Sequence, residues 1–164
     1  MLYVIKGKWR NFQKEETNMQ SITLETADLI ANKSLEKGRA LGFAPLTVAI
    51  LDAGGQIKVI KREDGSSLLR PDIAMGKAWG VLGMGLGGRE LARRAAKMPT
   101  FFNALSDLSS GRMVPVPGGV LIRSASGEII GSIGISGDTS DNDETCAVFG
   151  IKAAGLTPDT GDKE

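Results

Sequence analysis

Apolar residues recur with a helical period in five segments of the chain. In the first segment, the apolar residues from Leu24 to Leu35 are spaced three or four positions apart, and they follow Thr23, whose side chain can cap a helix. This spacing predicts a helix over residues 23–41. The same criteria, together with proline near helix starts and glycine near helix ends, predict four more helices, over residues 71–83, 89–96, 100–108 and 141–154.

Two other parts of the chain have the patterns of paired strands. Thr47–Leu51 is a continuous apolar run, typical of a strand buried on both faces, and the turn residues Asp52–Gly55 lead to a partner strand over Gln56–Arg62. Residues 119–123 and 129–136 form a second predicted hairpin. Hairpins pair antiparallel, and helices must cover at least one face of a sheet. The order of elements therefore predicts an α+β fold, an antiparallel sheet flanked by helices.

The last predicted strand has one face of large residues and one that includes small residues. Strict alternation assigns its side chains to two sets, with Ile129, Ile133 and Ile135 on one face and Ile130, Ser132 and Gly134 on the other. The small residues allow close approach by a helix, a partner subunit or a ligand.

Composition narrows the classes of function. The 164 residues suit one domain, and a net charge of +1 supplies no long-range field, so we expect neither nucleic acid nor a membrane as a partner. The sequence contains no histidine, which removes the commonest general base and a common ligand of metals and haem, and we predict no metal site. The single cysteine, Cys146, excludes an internal disulfide and is interpreted as a small buried hydrophobe. Without a signal peptide, we expect a cytoplasmic protein.

Residues 1–18 differ from the rest of the chain, and two interpretations stay open. Lys14–Glu16 must be encoded by purine-rich codons that can spell a ribosome-binding site, and Met19 follows after a short spacer. The segment is therefore either a translated leader before a native start at Met19 or a genuine disordered or short-strand extension. We assign residues 19–157 to one domain and expect residues 158–164 to be frayed.

Three polar residues near the end of the first hairpin are candidates for a site. Arg62 ends a strand and can clamp a carboxylate with two hydrogen bonds. Lys77, on the next helix, can supply a point charge, or act as a base if burial lowers its pKa. Asp64, in the loop, can orient either residue or exchange protons. The alternative is a structural ion-pair network that holds the loop to the helix.

Glycines and a helical carboxylate extend this set. Gly118 and Gly119 can expose N–H groups to an anion, or form only a tight bend into a strand. Asp143 lies in the first turn of the last helix, where the helix dipole stabilises a carboxylate and capping alone explains it. Gly83–Gly88 matches a dinucleotide-binding pattern, but a helical segment precedes it where such a site needs a strand, so we interpret it as close packing.

Several motifs in this order resemble the GlcG/HbpS family. The resemblance covers about Ser21 to Gly155 and rests on Asp52–Gly55, Arg62–Gly65, Asp72–Ala74, Lys77–Ala78, Pro117–Val120, Ile130–Gly137 and Asp143. It implies a profilin-like fold and assembly into homo-oligomers, from dimers to octamers. It also implies a possible haem or corrinoid ligand, because relatives such as HbpS and the C-terminal domain of PduO proteins bind them. Others are encoded among catabolic genes.

The haem expectation meets an obstacle in this sequence. Haem-binding relatives can use a histidine on iron, and no histidine is present here. Met113, Tyr3 and Cys146 are the remaining candidate ligands, and none stands in a motif that favours this role.

Three functions stay open. The first is a ligand-binding accessory protein for a tetrapyrrole or a small carboxylate, which Arg62, Lys77, Gly118, Gly119 and Asp143 would bind. The second is a cofactor-independent isomerase, tautomerase or lyase, in which Arg62 holds a carboxylate while Lys77 or Asp64 moves a proton. The third is a structural or assembly role, in which the glycines serve oligomer packing.

Overall fold

Helices and strands are interleaved along residues 21–162, the part of the chain that the computed structural model describes. The helices are α1 (Leu24–Leu41), α2 (Arg70–Met84), α3 (Gly88–Lys97), α4 (Pro99–Leu108) and α5 (Ser140–Ala153). The strands are β1 (Thr47–Asp52), β2 (Ile57–Arg62), β3 (Gly119–Arg123), β4 (Ile129–Ser136) and β5 (Thr157–Asp159). No helix within the described residues is both long and apolar enough to cross a membrane. The predictions for residues 1–18 fall outside the described residues.

The five strands form one antiparallel sheet in the order β2-β1-β4-β3-β5. This confirms the predicted α+β fold. The central strand β1 begins at Thr47, which pairs with Arg62 of β2 and with Ser136 of β4. Gly119, the first residue of β3, pairs with Gly134 near the same end of β4. The register thus gathers several of the candidate site residues at one end of the sheet.

Helices α1 and α5 cover one face of the sheet. Apolar side chains from β1, β3 and β4 meet those of the two helices in the larger core, where Ile50, Ile133 and Ile151 are fully buried. Burial of each such side chain contributes about 1.5–3 kcal/mol. The predicted start of α1 is confirmed, because the Thr26 N–H donates to Thr23 Oγ1 at 3.2 Å.

Helix α2 covers the opposite face and lies unusually close to β4. A β-carbon built on Gly134 would lie 2.0 Å from the carbonyl oxygen of Ala74, and the Ser132 hydroxyl donates to the carbonyl of Ala78 at 2.8 Å. The small residues of β4 therefore make room for a helix of the same chain, one of the three occupants that the sequence left open. This contact sets the position of every side chain on α2.

A β-bulge corrects the predicted faces of β4. Ile122 pairs with Gly131 but Arg123 pairs with Ile129, so Ile130 is an extra residue in the ladder. Ile130 packs in the α1/α5 core, whereas Ile129 packs on the α2 side. The strict alternation expected for these two isoleucines is wrong, because the bulge reverses the side on which the preceding residues point.

The C-terminal end also differs from the sequence expectation. Residues from 158 were expected to be frayed, but Thr157–Asp159 pairs with β3 as an edge strand. The next residue, Thr160, accepts a hydrogen bond from the Arg89 N–H at 2.9 Å, and a β-carbon on Gly87 would lie 2.1 Å from its carbonyl carbon. Gly87 therefore serves close packing, but against the segment after β5 and not between helices or subunits, whereas Gly83 and Gly85 make no such close contact. A three-residue strand containing proline has no periodic pattern to reveal it.

The α2–β4 contact predicts opposite effects for two glycine substitutions. Gly134→Ala would force backbone apart and should destabilise the protein by about 3 kcal/mol or more. In Gly83→Ala the nearest atom, on Trp79, is 3.9 Å from the new carbon, so better helix propensity should stabilise by about 0.5–1 kcal/mol. Urea unfolding followed by circular dichroism measures both, and equal stabilities of the two variants would contradict the close approach.

Candidate functional site

Lys77 and Asp143 form a buried ion pair between α2 and α5. The Lys77 Nζ lies 2.8 Å from Asp143 Oδ2, and the two side chains are 3% and 1% exposed. The other carboxylate oxygen, Oδ1, accepts the backbone N–H of Asp138 at 3.1 Å. Burial raises the pKa of the Asp143 carboxyl, and the Lys77 ammonium opposes that effect. Each charge therefore depends on the other, because almost none of either side chain is exposed to solvent.

Gly118 and Gly119 enclose this ion pair. Gly118 has a φ of +95°, and a β-carbon built on it would lie 2.8 Å from Lys77 Nζ. A β-carbon on Gly119 would lie 2.7 Å from the Lys77 carbonyl oxygen. The structure thus brings together four of the predicted site residues, Lys77, Gly118, Gly119 and Asp143, but packs them against one another.

Arg62 and Asp64 lie in a different place, an open depression that we call the polar depression. It has a volume of about 490 Å³ and is lined by Arg39, Phe43, Pro45, Arg62, Glu63 and Asp64. The Arg62 guanidinium donates to the carbonyl of Ser66, and Arg39 pairs with Glu63 at 2.7 Å. Two cations and two carboxylates balance the charge, and Lys77 does not belong to this lining.

The geometry provides no direct support for proton transfer by Lys77. A general base must come within hydrogen-bond reach of the proton that it removes. The Lys77 ammonium is enclosed and already paired with Asp143. The contacts give Lys77 a structural role that differs from the predicted loop-to-helix network, because the pair fixes helix α2 against α5.

A second buried carboxylate, Glu144, follows Asp143 along α5. The Arg89 Nε donates to Glu144 Oε1 at 2.7 Å, and the Arg89 Nη2 donates to Asp141 Oδ1 at the same distance. Glu144 Oε2 is buried and has no hydrogen-bond partner within residues 21–162. Burial raises the pKa of Glu144, and the Arg89 guanidinium opposes this.

An apolar groove, which we call the α2 groove, lies on the outer side of α2. Its volume is about 130 Å³, and its lining consists of Trp79, Gly80, Gly83, Met84, Leu105, Leu108, Ser109, Arg112 and Met113. Trp79 also lines two adjoining depressions, one of about 310 Å³ with Asp72, Met75 and Arg112, and one of about 210 Å³ with Leu82. Trp79 is therefore the side chain that these three concave surfaces share.

Glycines on α2 place Arg112 above the Trp79 ring. A β-carbon on Gly76 would lie 2.6 Å from Val114 Cγ2, and one on Gly80 would lie 2.8 Å from Met113 Cγ. The segment after α4 can therefore cross α2 closely. As a result, the Arg112 guanidinium carbon lies 4.7 Å from the centroid of the Trp79 ring, within the range of a cation–π interaction.

Trp79 and Arg112 are not among the residues predicted from the sequence. One signal was available, because Trp79 is one of only two tryptophans and stands among glycines at 76, 80 and 83, with helical spacing. Arg112 is 33 positions away in a loop, and no local pattern connects it to α2. Only the chain crossing brings the two together.

The cysteine sulfur lies in the core, whereas two methionine sulfurs lie at the α2 groove. Cys146 is fully buried in the α1/α5 core, as interpreted, and burial raises the pKa of its thiol to about 11. Met84 and Met113 line the α2 groove, where the Met113 side chain is largely covered by α2. No cluster of three or more cysteine or acidic residues that could hold a metal ion occurs in residues 21–162. Tyr3 lies outside the described residues.

Comparisons with known proteins agree with this fold. Residues 22–152 match the family model described as haem-degrading protein HbpS-like. The structure is similar to that of the PduOC:haem complex, with 25% identity over 87% of this chain and 99% of that chain and a TM-score of 0.75. It is also similar to HbpS, with 29% identity over 84% and 93% of the two chains and a TM-score of 0.73.

A sequence relative extends the comparison. An uncharacterized 15.0 kDa protein from the dhaT-dhaS intergenic region of Citrobacter freundii is 24% identical over 127 residues, which cover 77% of this chain and 87% of that protein. The matched relatives are thus about as long as the described part of this chain.

The buried ion pair predicts a strong asymmetry between single and double substitutions. Asp143→Asn leaves the Lys77 charge buried without a carboxylate and should destabilise the protein by about 3–5 kcal/mol. The double substitution Lys77→Met with Asp143→Leu removes both charges and should cost less than Asp143→Asn alone. Urea unfolding measures these losses. Glu36→Gln, which breaks the exposed pair with Lys33, is the control and should cost at most about 1 kcal/mol.

The Glu144 environment predicts a pH dependence. The Glu144 carboxyl keeps its proton to a higher pH in the folded state than in the unfolded state, where its pKa is about 4.5. The unfolding free energy of the wild type, relative to Glu144→Gln, should therefore be constant below pH 4.5 and fall as pH rises through the folded pKa.

Asp138 should give the opposite pH dependence when the unfolding free energy is followed over the same pH range. The N–H groups of Ala44 and Thr139 donate to its carboxylate and lower its pKa. The contribution of the Asp138 carboxylate to stability is present above its ordinary pKa of 3.8 and is lost as pH falls through the lower pKa of the folded state. The wild type relative to Asp138→Asn should thus gain stability with pH. Slopes of the same sign for the two variants would contradict these environments.

Proposed function

The chain belongs to the HbpS-like family of haem-degrading proteins, and from that premise we propose that it is a small-molecule-binding accessory protein. We place its ligand in the α2 groove and the depressions that adjoin it. The ligand is an amphipathic molecule with a flat apolar body and at least one carboxylate, a class that includes tetrapyrroles. The α2 groove carries this proposal, because it combines apolar walls with one guanidinium.

The lining of the groove supports an apolar ligand body. Trp79, Met84 and Leu105 are half-buried there, and Leu108 is 82% exposed at its border. Apolar lining with few polar groups is typical of small-molecule sites. The groove alone is smaller than the usual 300–1,000 Å³, so a ligand of tetrapyrrole size would extend past Trp79 into the adjoining depression of about 310 Å³.

Arg112 supports the proposal that the ligand carries a carboxylate. Its guanidinium makes no ion pair within residues 21–162, although Asp72 lines the same depression, and its Nε donates to the Ser109 carbonyl at 3.0 Å. The remaining N–H groups of a guanidinium can bind a carboxylate with two parallel hydrogen bonds. Arg112 borders both the groove and the adjoining depression, so it can reach a carboxylate at the edge of a ligand seated in either.

The relatives support the tetrapyrrole class. The structure of PduOC, similar to this chain over nearly its whole length, is that of a haem complex. Coordination of haem iron has little to support it here, since the chain has no histidine and Cys146 is enclosed in the core. The proposal therefore relies on contacts with the ring and its carboxylates.

The polar depression is a second candidate site, for a small carboxylate. Arg39 and Arg62 both line it, and its volume of about 490 Å³ suits a small organic acid. Binding there requires the acid to compete with Glu63 for Arg39. In this second candidate, Arg62 keeps the carboxylate-binding role predicted from the sequence, and Asp64 borders the ligand. The buried group of Lys77, Gly118, Gly119 and Asp143 then has a structural role and does not contact the ligand.

Titration of the full chain with haem, cobalamin and a panel of small organic acids tests the proposal. We expect saturable haem binding that Arg112→Gln weakens about tenfold or more, because a charge-assisted hydrogen bond contributes about 1.5–3 kcal/mol. We also expect Trp79→Ala to weaken it about tenfold, through the loss of apolar contact area. Absorbance in the Soret region and calorimetry measure both.

The matched controls are Lys37→Gln and Phe149→Ala. The Lys37 Nζ lies 5.2 Å from the Phe149 ring centroid, a similar cation and ring on the opposite face of the sheet, and neither change should alter binding. Loss of small-acid binding in Arg62→Gln, with Arg112→Gln unaffected, would favour the polar depression. No saturable binding of any of these ligands would reject the proposed function.

A further inference from the structure

We infer that the site selects its ligand by the outline and the carboxylates of a flat ring, and that the metal at the centre of such a ring makes no contribution. The inference rests on the proposed function, since it states how the same α2 groove recognises a tetrapyrrole. It predicts that a metal-free porphyrin and its iron complex bind alike.

The supply of iron ligands carries the first step. The whole sequence has no imidazole, its one phenol, Tyr3, lies outside the described residues, and the only thiol is fully buried, with its pKa raised to about 11. A thiolate, not a thiol, binds a metal ion, so Cys146 would have to leave the core and lose its proton first. A β-carbon built on Gly38 would lie 3.6 Å from the Cys146 sulfur, which shows how closely α1 covers the thiol.

The thioethers carry the second step. Met84 and Met113 line the α2 groove, and Met75 lines the adjoining depression that the ring would also cover. Thioether sulfur is a soft, neutral ligand that suits Cu(I) far better than ferric iron. Met113 is only 9% exposed, and a β-carbon on Gly80 would lie 3.7 Å from its sulfur, so its position is set by packing under α2.

The placement of Trp79 and Arg112 carries the third step. Both residues line the groove and the depression beside it, so a ring that covers both surfaces lies against this pair. The edge of a porphyrin carries its carboxylates, while the metal lies at its centre. A guanidinium donates hydrogen bonds and has no lone pair for a metal, so Arg112 can bind the carboxylates and cannot coordinate the metal at the centre of the ring.

The test compares three ligands on the full chain: haem, protoporphyrin IX without metal, and the dimethyl ester of protoporphyrin IX, whose carboxylates are blocked. We expect haem and protoporphyrin IX to bind within about threefold of each other, because their apolar areas are nearly equal. The diester should bind about tenfold or more weakly. Quenching of porphyrin fluorescence follows the metal-free ligands, and absorbance follows haem.

Variants separate the carboxylate from the metal. Arg112→Gln should weaken protoporphyrin IX about tenfold and leave the diester unchanged, whereas the control Lys37→Gln should change neither. Met75→Leu, Met84→Leu and Met113→Leu, which keep the side-chain volume, should leave the Soret band of bound ferric haem where it is in the wild type.

The outcomes distinguish the inference from the function on which it rests. Haem binding at least tenfold tighter than protoporphyrin IX, or a Soret shift in any of the methionine variants, would overturn metal-independent recognition while leaving the proposed function in place. Equal affinity of the diester and the free acid would overturn the role of Arg112. If neither haem nor protoporphyrin IX binds, the placement of a tetrapyrrole in the α2 groove itself fails.

Discussion

The close approach of α2 to β4 is the constraint on which the rest of the structure depends. Gly134 has no side chain, and the Ala74 carbonyl oxygen occupies the space that a β-carbon would need. Once the helix is seated there, its period decides the role of each residue. Residues two positions apart point to different sides of a helix, so Lys77 points inward to Asp143 while Trp79 remains at the surface.

On the inward side of α2, the buried Lys77 ammonium requires a partner of opposite charge, which is Asp143. A buried ion pair adds little net stability by itself, because desolvation offsets the attraction, but removing one partner is costly. The diglycine bend completes this arrangement, since any side chain at Gly118 would collide with the Lys77 ammonium. The buried pair therefore fixes α2 against α5, and the surface that remains concave and apolar is on the other side of α2.

The candidate site was predictable only in part, and the reasons differ between residues. Lys77, Gly118, Gly119 and Asp143 were expected to cluster and do so, because the antiparallel order of strands brings their elements to one end of the sheet. Arg62 and Asp64 were expected beside them but line the polar depression instead. Burial decides whether such a cluster can meet a ligand, and burial depends on packing that no local motif encodes.

The sequence by itself determined the five helices, the two antiparallel hairpins and the family, since helical and strand periods, turn residues and short motifs act over a few neighbouring positions. Only the tertiary structure decided which polar residues are enclosed, where the bulge reverses β4, and that Arg112 lies over Trp79. These features depend on contacts between residues far apart in the chain. Their geometry is set by close packing of whole elements, which the period of any single segment does not record.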